Sequence, residues 1–115
     1  MAEIEDIFSK VQRATENGKL QWKATSDKDT FIAGLEGKFT FLIQNLRGNF
    51  ESYYFSMSDS GGNVIIEQTV YEPNTPMGNF PPDFNRVKVM YEIARRNALD
   101  IDQKLRDAAS LLDKF

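Results

Sequence analysis

The carboxy-terminal third of the chain carries its longest uninterrupted hydrophobic pattern. From Phe84 to Phe115, apolar and small residues recur at alternating steps of three and four, which keeps their side chains on one face of a helix. Pro81 and Pro82 precede Asp83, a residue type that favours the N-cap position. The pattern predicts a continuous helix of about 32 residues, which would be about 48 Å long. We call its apolar face the seam: Phe84, Val87, Tyr91, Ala94, Ala98, Ile101, Leu105, Ala108, Leu112 and Phe115.

One position in this helix permits a different interpretation. Asp100 followed by Gln103 has the spacing of a capping box, which marks a helix start. The alternative is therefore a bend, with a second helix beginning at Asp100. Against it, the seam keeps its phase across this position, and an aspartate inside a helix costs only about 0.7 kcal/mol relative to alanine. We expect the continuous helix.

The remainder of the chain changes period from helix to strand. Residues 2–17 repeat apolar side chains at helical spacing, and Gly18 provides a natural end for this first helix. Alternation with a period of two then predicts strands. Short polar turns join these strands, which favours pairing between sequential neighbours. The predicted strands lie in residues 19–24, 31–35, 38–46, 50–58 and 64–71, and a proline-rich link over residues 72–82 follows them.

The order of elements defines the expected fold class. A helix, five strands and a long helix indicate one α+β domain over residues 1–115, with a five-stranded antiparallel meander. We expect the long C-terminal helix to pack across one face of the sheet, giving two layers. The third strand is apolar on both faces, with Phe41 on one and Leu42 on the other. Its second face is therefore expected to be covered or to contact a partner.

Composition and charge indicate where the protein is located and which kinds of partner it can bind. The chain is 41% hydrophobic and 27% charged, as in folded globular proteins, and its net charge of -3 argues against a nucleic-acid partner. No stretch approaches the roughly 18 apolar residues of a membrane span. The acidic start differs from a signal peptide, and the chain has no cysteine. We expect a cytoplasmic protein without membrane contact.

Missing residue types also exclude several chemistries. Without His or Cys, the chain cannot form the usual zinc sites, a Ser-His-Asp triad or a Cys-His pair. Asp59 to Asn63 faintly resembles a calcium loop, but its spacing does not match an EF-hand, and we predict a hairpin turn there. Arg95 and Arg96 lie among acidic residues on the flanks of the seam, so they do not form the basic stripe of a nucleic-acid surface. We expect no enzymatic activity, metal or cofactor.

The length of the seam carries the functional hypothesis. A six-residue strand spans only about 20 Å, so a 32-residue helix would extend beyond its own sheet. We predict that its far end forms a homodimer interface, made by Ile101, Leu105, Ala108, Leu112 and Phe115. The protein would then be a non-enzymatic interaction module that also binds or masks a protein partner, as an adaptor, inhibitor or immunity-type protein. The predicted architecture resembles small bacterial interaction domains in outline. The candidate partner or ligand surface comprises Leu42, Leu46, Tyr54, Arg95 and Arg96.

An alternative function rests on the aromatic residues. A small ligand would bind in a groove between the sheet and the long helix, with the polar ends of aromatic side chains facing it. Packing of the same residues in the core is the competing interpretation. The candidate groove residues are Trp22, Tyr53, Tyr54, Tyr71 and Tyr91.

Overall fold

The described part of the chain forms three helices and a five-stranded sheet. The computed structural model describes residues 2–73 and 83–115, so most of the predicted proline-rich link lies outside the described residues. The α+β class and the antiparallel sheet are confirmed. The elements are α1 (Ala2–Glu16), β1 (Lys23–Ala24), β2 (Thr30–Leu35), β3 (Phe39–Asn45), β4 (Ser52–Asp59), β5 (Val64–Tyr71), α2 (Phe84–Ala98) and α3 (Ile101–Leu112).

The sheet is the predicted meander, with strand order β1-β2-β3-β4-β5 and antiparallel pairing throughout. Glu36 and Gly37 connect β2 to β3 with φ angles of 57° and 68°. Two successive positive φ angles are typical of the tight hairpin turn whose twist matches that of the strands. The Lys38 amide closes this turn by donating to the Leu35 carbonyl at 2.9 Å.

Both α1 and α2 pack on the same face of the sheet. The strand register places Phe31, Ile43 and Phe55 side by side on this inner face, where all three are buried. Phe8 of α1 meets the Phe55 ring edge to face at 5.0 Å, and Tyr91 of α2 contacts the Phe31 ring at 5.7 Å. These rings form the core, because aromatic side chains combine large apolar area with favourable edge contacts.

One arginine joins the two helices of this layer. Arg86 of α2 forms an ion pair with Glu5 and donates to Ser9 Oγ at 2.8 Å, and both partners belong to α1. Its guanidinium also lies over the Phe8 ring, 5.3 Å from the ring centroid. A guanidinium can make these contacts together because it presents several donors in one plane and an apolar face.

The prediction of one continuous C-terminal helix is wrong. α2 ends at Ala98, α3 begins at Ile101, and Asp100 between them has a left-handed backbone with φ 54°. The Asp100 side chain caps no amide among the described residues, so the capping box does not form. Instead, Asp100 ends α2, since aspartate is one of the few residue types that adopt this conformation readily. The apolar residues of the seam keep the same spacing in the sequence on both sides of Asp100, so the periodicity did not indicate the bend.

The first predicted strand is also much shorter than expected. The Lys19 and Leu20 amides donate to the Ala14 carbonyl at the end of α1, at 2.9 and 3.2 Å. The Trp22 amide donates to Asn97 Oδ1 of α2 at 2.9 Å. Because helix groups satisfy these amides, only Lys23 and Ala24 pair with β2. Leu20 and Trp22 are buried, as the alternating pattern indicated, but they anchor a connection between helices.

Replacement of Thr15 by valine tests the buried connection between α1 and Trp22. Thr15 Oγ1 accepts a hydrogen bond from Trp22 Nε1 at 3.0 Å and donates to the Val11 carbonyl at 2.8 Å. Thr15→Val keeps the shape and leaves the indole N–H without its partner, so the free energy of unfolding should fall by about 1–3 kcal/mol. Urea unfolding followed by circular dichroism measures the change. Thr40→Val, at an exposed position of β3, should change it by less than about 0.5 kcal/mol. Equal effects of the two variants would contradict the role of this hydrogen bond.

Candidate functional site

The predicted interface residues lie on an exposed helix. α3 lies wholly within the described residues, and none of its residues is buried. Leu105, Leu112 and Phe115 are 56%, 67% and 101% exposed, Ala108 is exposed, and Ile101 is half-buried. Their steps of four and three residues place the four members within α3 on one face, which we call the α3 stripe together with Phe115. The bend at Asp100 thus separates this part of the seam from the part that α2 buries in the core.

The opposite face of α3 is polar and internally hydrogen-bonded. Gln103 Nε2 donates to Asp107 Oδ1 at 2.8 Å, and Arg106 Nη2 donates to Gln103 Oε1 at 2.8 Å. At the bend, Arg96 of α2 pairs with Asp102 at 2.5 Å. Residues 101–115 contain equal numbers of acidic and basic side chains: Asp102, Asp107 and Asp113 against Lys104, Arg106 and Lys114. The helix therefore carries side-chain charges that cancel overall, on faces other than the stripe.

The other predicted surface residues do not form one site. Leu42 and Tyr54 are half-buried on the outer face of the sheet, opposite α1 and α2. The Tyr54 hydroxyl there donates to Glu67 Oε2 at 2.5 Å. Leu46, which is 39% exposed, follows the end of β3. Arg95 and Arg96 diverge as well, because Arg95 lines a cleft beside β3 and β4, whereas Arg96 lies at the bend.

The aromatic residues proposed for a groove divide between the core and the outer face. Trp22, Tyr53 and Tyr91 are at most 3% exposed, and the rings of Tyr53 and Tyr91 are in contact at 5.2 Å. Tyr54 and Tyr71 lie on the outer face, as the pairing of Tyr71 with Ser52 shows. These buried rings fill the space between α2 and the sheet where the groove was predicted.

A cleft of about 490 Å³ opens at one end of this interface, between the β3–β4 connection and α2. Two ion pairs define its walls. Arg47 Nη2 contacts Asp29 Oδ1 at 2.9 Å, and Lys88 Nζ contacts Glu51 Oε2 at 2.9 Å. Glu51 Oε2 also accepts from the Tyr53 hydroxyl at 2.6 Å. The principal lining residues are Asn45, Arg47, Glu51, Lys88, Tyr91 and Arg95.

Burial and hydrogen bonding set the protonation states in this cleft. The hydrogen bond from the Tyr53 hydroxyl, followed by that from Lys88, lowers the pKa of Glu51 below its ordinary value. Burial raises the pKa of Tyr53, and the neighbouring Glu51 carboxylate raises it further. Burial is also the main reason that the pKa of Tyr91 is raised. The two tyrosines therefore remain neutral at physiological pH and Glu51 remains ionised.

The predicted turn at Asp59 to Asn63 has a structural role. Asp59 Oδ1 accepts from the Gly61 and Asn63 amides, each at 2.9 Å, so its carboxylate closes the predicted hairpin turn. Among the described residues, no three acidic side chains come together in an arrangement that could hold a metal ion. Within residues 2–73 and 83–115, the helices lack the length and hydropathy that a membrane crossing requires.

Sequence reasoning missed the cleft. Its residues come from the β3–β4 connection and from α2, which are far apart in the chain, and no spacing motif links them. Arg47 adopts a positive φ of 55°, which the residue type does not indicate. The one readable signal was the cluster of polar and aromatic residues around Glu51 and Tyr53 at the start of β4.

A tyrosine titration tests the protonation states. Because the folded state raises the pKa of Tyr53, this residue should contribute no tyrosinate absorbance up to about pH 10.5, although a free tyrosine ionises near pH 10. The absorbance curves of the protein and of Tyr53→Phe should therefore coincide up to that pH and differ only above it. A raised pKa stabilises the fold fully below the ordinary tyrosine pKa, and this stability is lost as the pH rises further. In denaturant, the variant should lose one quarter of the absorbance, since the chain has four tyrosines. A smaller signal for the folded variant below pH 10 would contradict the assignment.

Comparison with known proteins assigns no family to the chain. No protein-family model matches it, and neither a curated protein nor a solved structure is significantly similar to it.

Proposed function

We propose that this protein is a non-enzymatic interaction module that self-associates through α3. The observation that carries the proposal is that α3 has 12 residues and buries none of them. An isolated helix shorter than about 12–15 residues is only marginally stable in water, because most helical stability in proteins comes from packing of an apolar face. A second surface on the α3 stripe would supply the packing that the chain's own core does not.

The composition of the stripe favours a protein surface as its partner. Leu105, Leu112 and Phe115 are all more than half exposed. Full burial of such a side chain is worth roughly 1.5–3 kcal/mol, before the entropic cost of association is subtracted. The stripe also keeps large apolar side chains together on one helix face, unlike the single apolar residues scattered over an ordinary protein surface.

A second copy of the same chain fits this stripe. Steps of three and four residues are those of helices that pack knobs into holes, and Ala108 at the centre permits close approach. Because the side-chain charges of residues 101–115 balance, two copies of the helix meet without net repulsion. The same stripe on both copies would form a two-fold symmetric interface, the commonest arrangement in soluble oligomers.

The bend determines the expected size of this contact. Residues 101–115 form about two heptads, or about 22 Å of helix if the last turn is extended. This is a short helix–helix contact, so the dimer should dissociate in the micromolar range. The outer face of the sheet, with Leu42 and Tyr54, would remain free to bind or mask a protein partner. The role of the protein itself as an adaptor, inhibitor or immunity-type protein is assigned by analogy alone.

Leu105→Asp tests self-association directly. The substitution places a carboxylate in the centre of the stripe on each copy, where association would have to desolvate it. The dissociation constant, measured by sedimentation equilibrium, should rise by at least about 100-fold, since central apolar residues dominate such contacts. Ser110→Asp adds the same charge to the polar face of α3 and should leave the dissociation constant within about threefold.

The helicity of α3 provides an independent measurement. If packing against a second copy stabilises α3, hydrogen exchange of its amides should slow as the protein concentration rises through the dissociation constant. Leu105→Asp should abolish this concentration dependence while the amides of β3 and β4 remain protected. A protein that stays monomeric at several hundred micromolar, with α3 protected at every concentration, would overturn the proposal.

A further inference from the structure

The cleft beside α2 reaches the hydroxyl of a tyrosine whose ring is buried in the core. Tyr91 is 2% exposed, and its ring packs between those of Phe31 and Tyr53. Tyr91 nevertheless lines the cleft, and its hydroxyl has no hydrogen-bond partner among the described residues. Because the core fixes the ring and no described residue bonds to the hydroxyl, this hydroxyl is available to donate a hydrogen bond to a molecule in the cleft.

The charges around this hydroxyl indicate what kind of molecule it is. The cations of Arg47 and Lys88 are paired with Asp29 and Glu51, but Arg95 forms no ion pair with any described residue and is half-buried. A half-buried guanidinium without a counter-charge attracts an anion, because its five donors match the oxygens of a carboxylate or phosphate. Glu92, the remaining carboxylate of the lining, lies on the exposed rim, where solvent screens it.

We propose that this cleft binds a small organic oxyanion, a carboxylate or a phosphate ester. The Tyr91 hydroxyl would donate to one oxygen, and the Arg95 guanidinium would donate to another. Asn45 would contribute an amide donor. Among the described residues, its side chain is engaged only through Oδ1, which accepts from the Arg47 amide at 3.1 Å. This site lies on different residues from the α3 stripe, so the two proposals stand or fall separately.

The dimensions of the cleft fit a small molecule. Its volume of about 490 Å³ falls within the range of about 300–1,000 Å³ that is usual for ligand sites. Phe50, 39% exposed, lines it and offers an apolar surface to the body of the ligand. The carboxylates of Glu51 and Glu92 and the net charge of -3 disfavour a polyanion such as nucleic acid.

Titration of the full chain with benzoate and phenyl phosphate tests this site, with benzamide as the neutral analogue of benzoate. In amide NMR spectra, at least one of the two anions should cause saturable shifts at Arg47, Tyr91 and Arg95, with a dissociation constant in the millimolar range expected for a molecule of this size. Which anion binds more tightly identifies the source of the oxyanion. Benzamide should bind at least about tenfold more weakly, because it lacks the charge that Arg95 recognises.

Three variants locate the binding groups. Arg95→Gln should raise the dissociation constant at least about tenfold, and Tyr91→Phe, which keeps the ring in the core, should raise it about three- to tenfold. Arg96→Gln removes the adjacent cation at the bend and should leave it unchanged within about twofold. The proposal fails if neither anion gives saturable shifts, if benzamide binds as tightly as benzoate, or if Arg96→Gln weakens binding as much as Arg95→Gln. Unchanged spectra away from the site verify that each variant is folded.

Discussion

Burial of one face of the sheet under two helices is the constraint on which the rest of the structure depends. Phe31, Ile43 and Phe55 lie in one row across the central strands, and Phe8 and Tyr91 cover them from α1 and α2. The rings must be excluded from water together, because each is large and each contacts another.

The same layer explains why one half of the seam is buried and the other half is exposed. Its first half, from Phe84 to Ala94, is fully buried because α2 crosses the sheet. Beyond Ala98 the chain bends at Asp100, and the second half continues as a helix whose apolar side chains face solvent. One hydrophobic pattern therefore builds the core in one place and leaves an exposed apolar stripe in another. Arg96 and Asp102 join the two helices across the bend.

The polar cleft arises where the aromatic layer ends. Tyr53 and Tyr91 are buried through their rings, but their hydroxyls reach the edge of the core. Tyr53 finds Glu51, which Lys88 also holds, whereas Tyr91 finds no described partner. A ligand bound at this edge would contact side chains that the core has already fixed, which would reduce the conformational entropy lost on binding.

The sequence by itself determined the class of the fold and most of its elements. Alternating periods identified α1, β2 to β5 and the helical character of residues 84–112, since burial of one face imposes these periods on any chain. The hairpin turn that begins at Asp59 was also predicted from residue type. Only the tertiary structure decided the bend at Asp100, the short β1 and the cleft. The apolar spacing in the sequence continues unchanged across the left-handed residue, so it does not reveal the bend. Amides that bond to distant helices likewise leave no mark on the local spacing of apolar residues. The cleft joins side chains from separate elements, so its existence depends on how those elements pack, which periodicity does not encode.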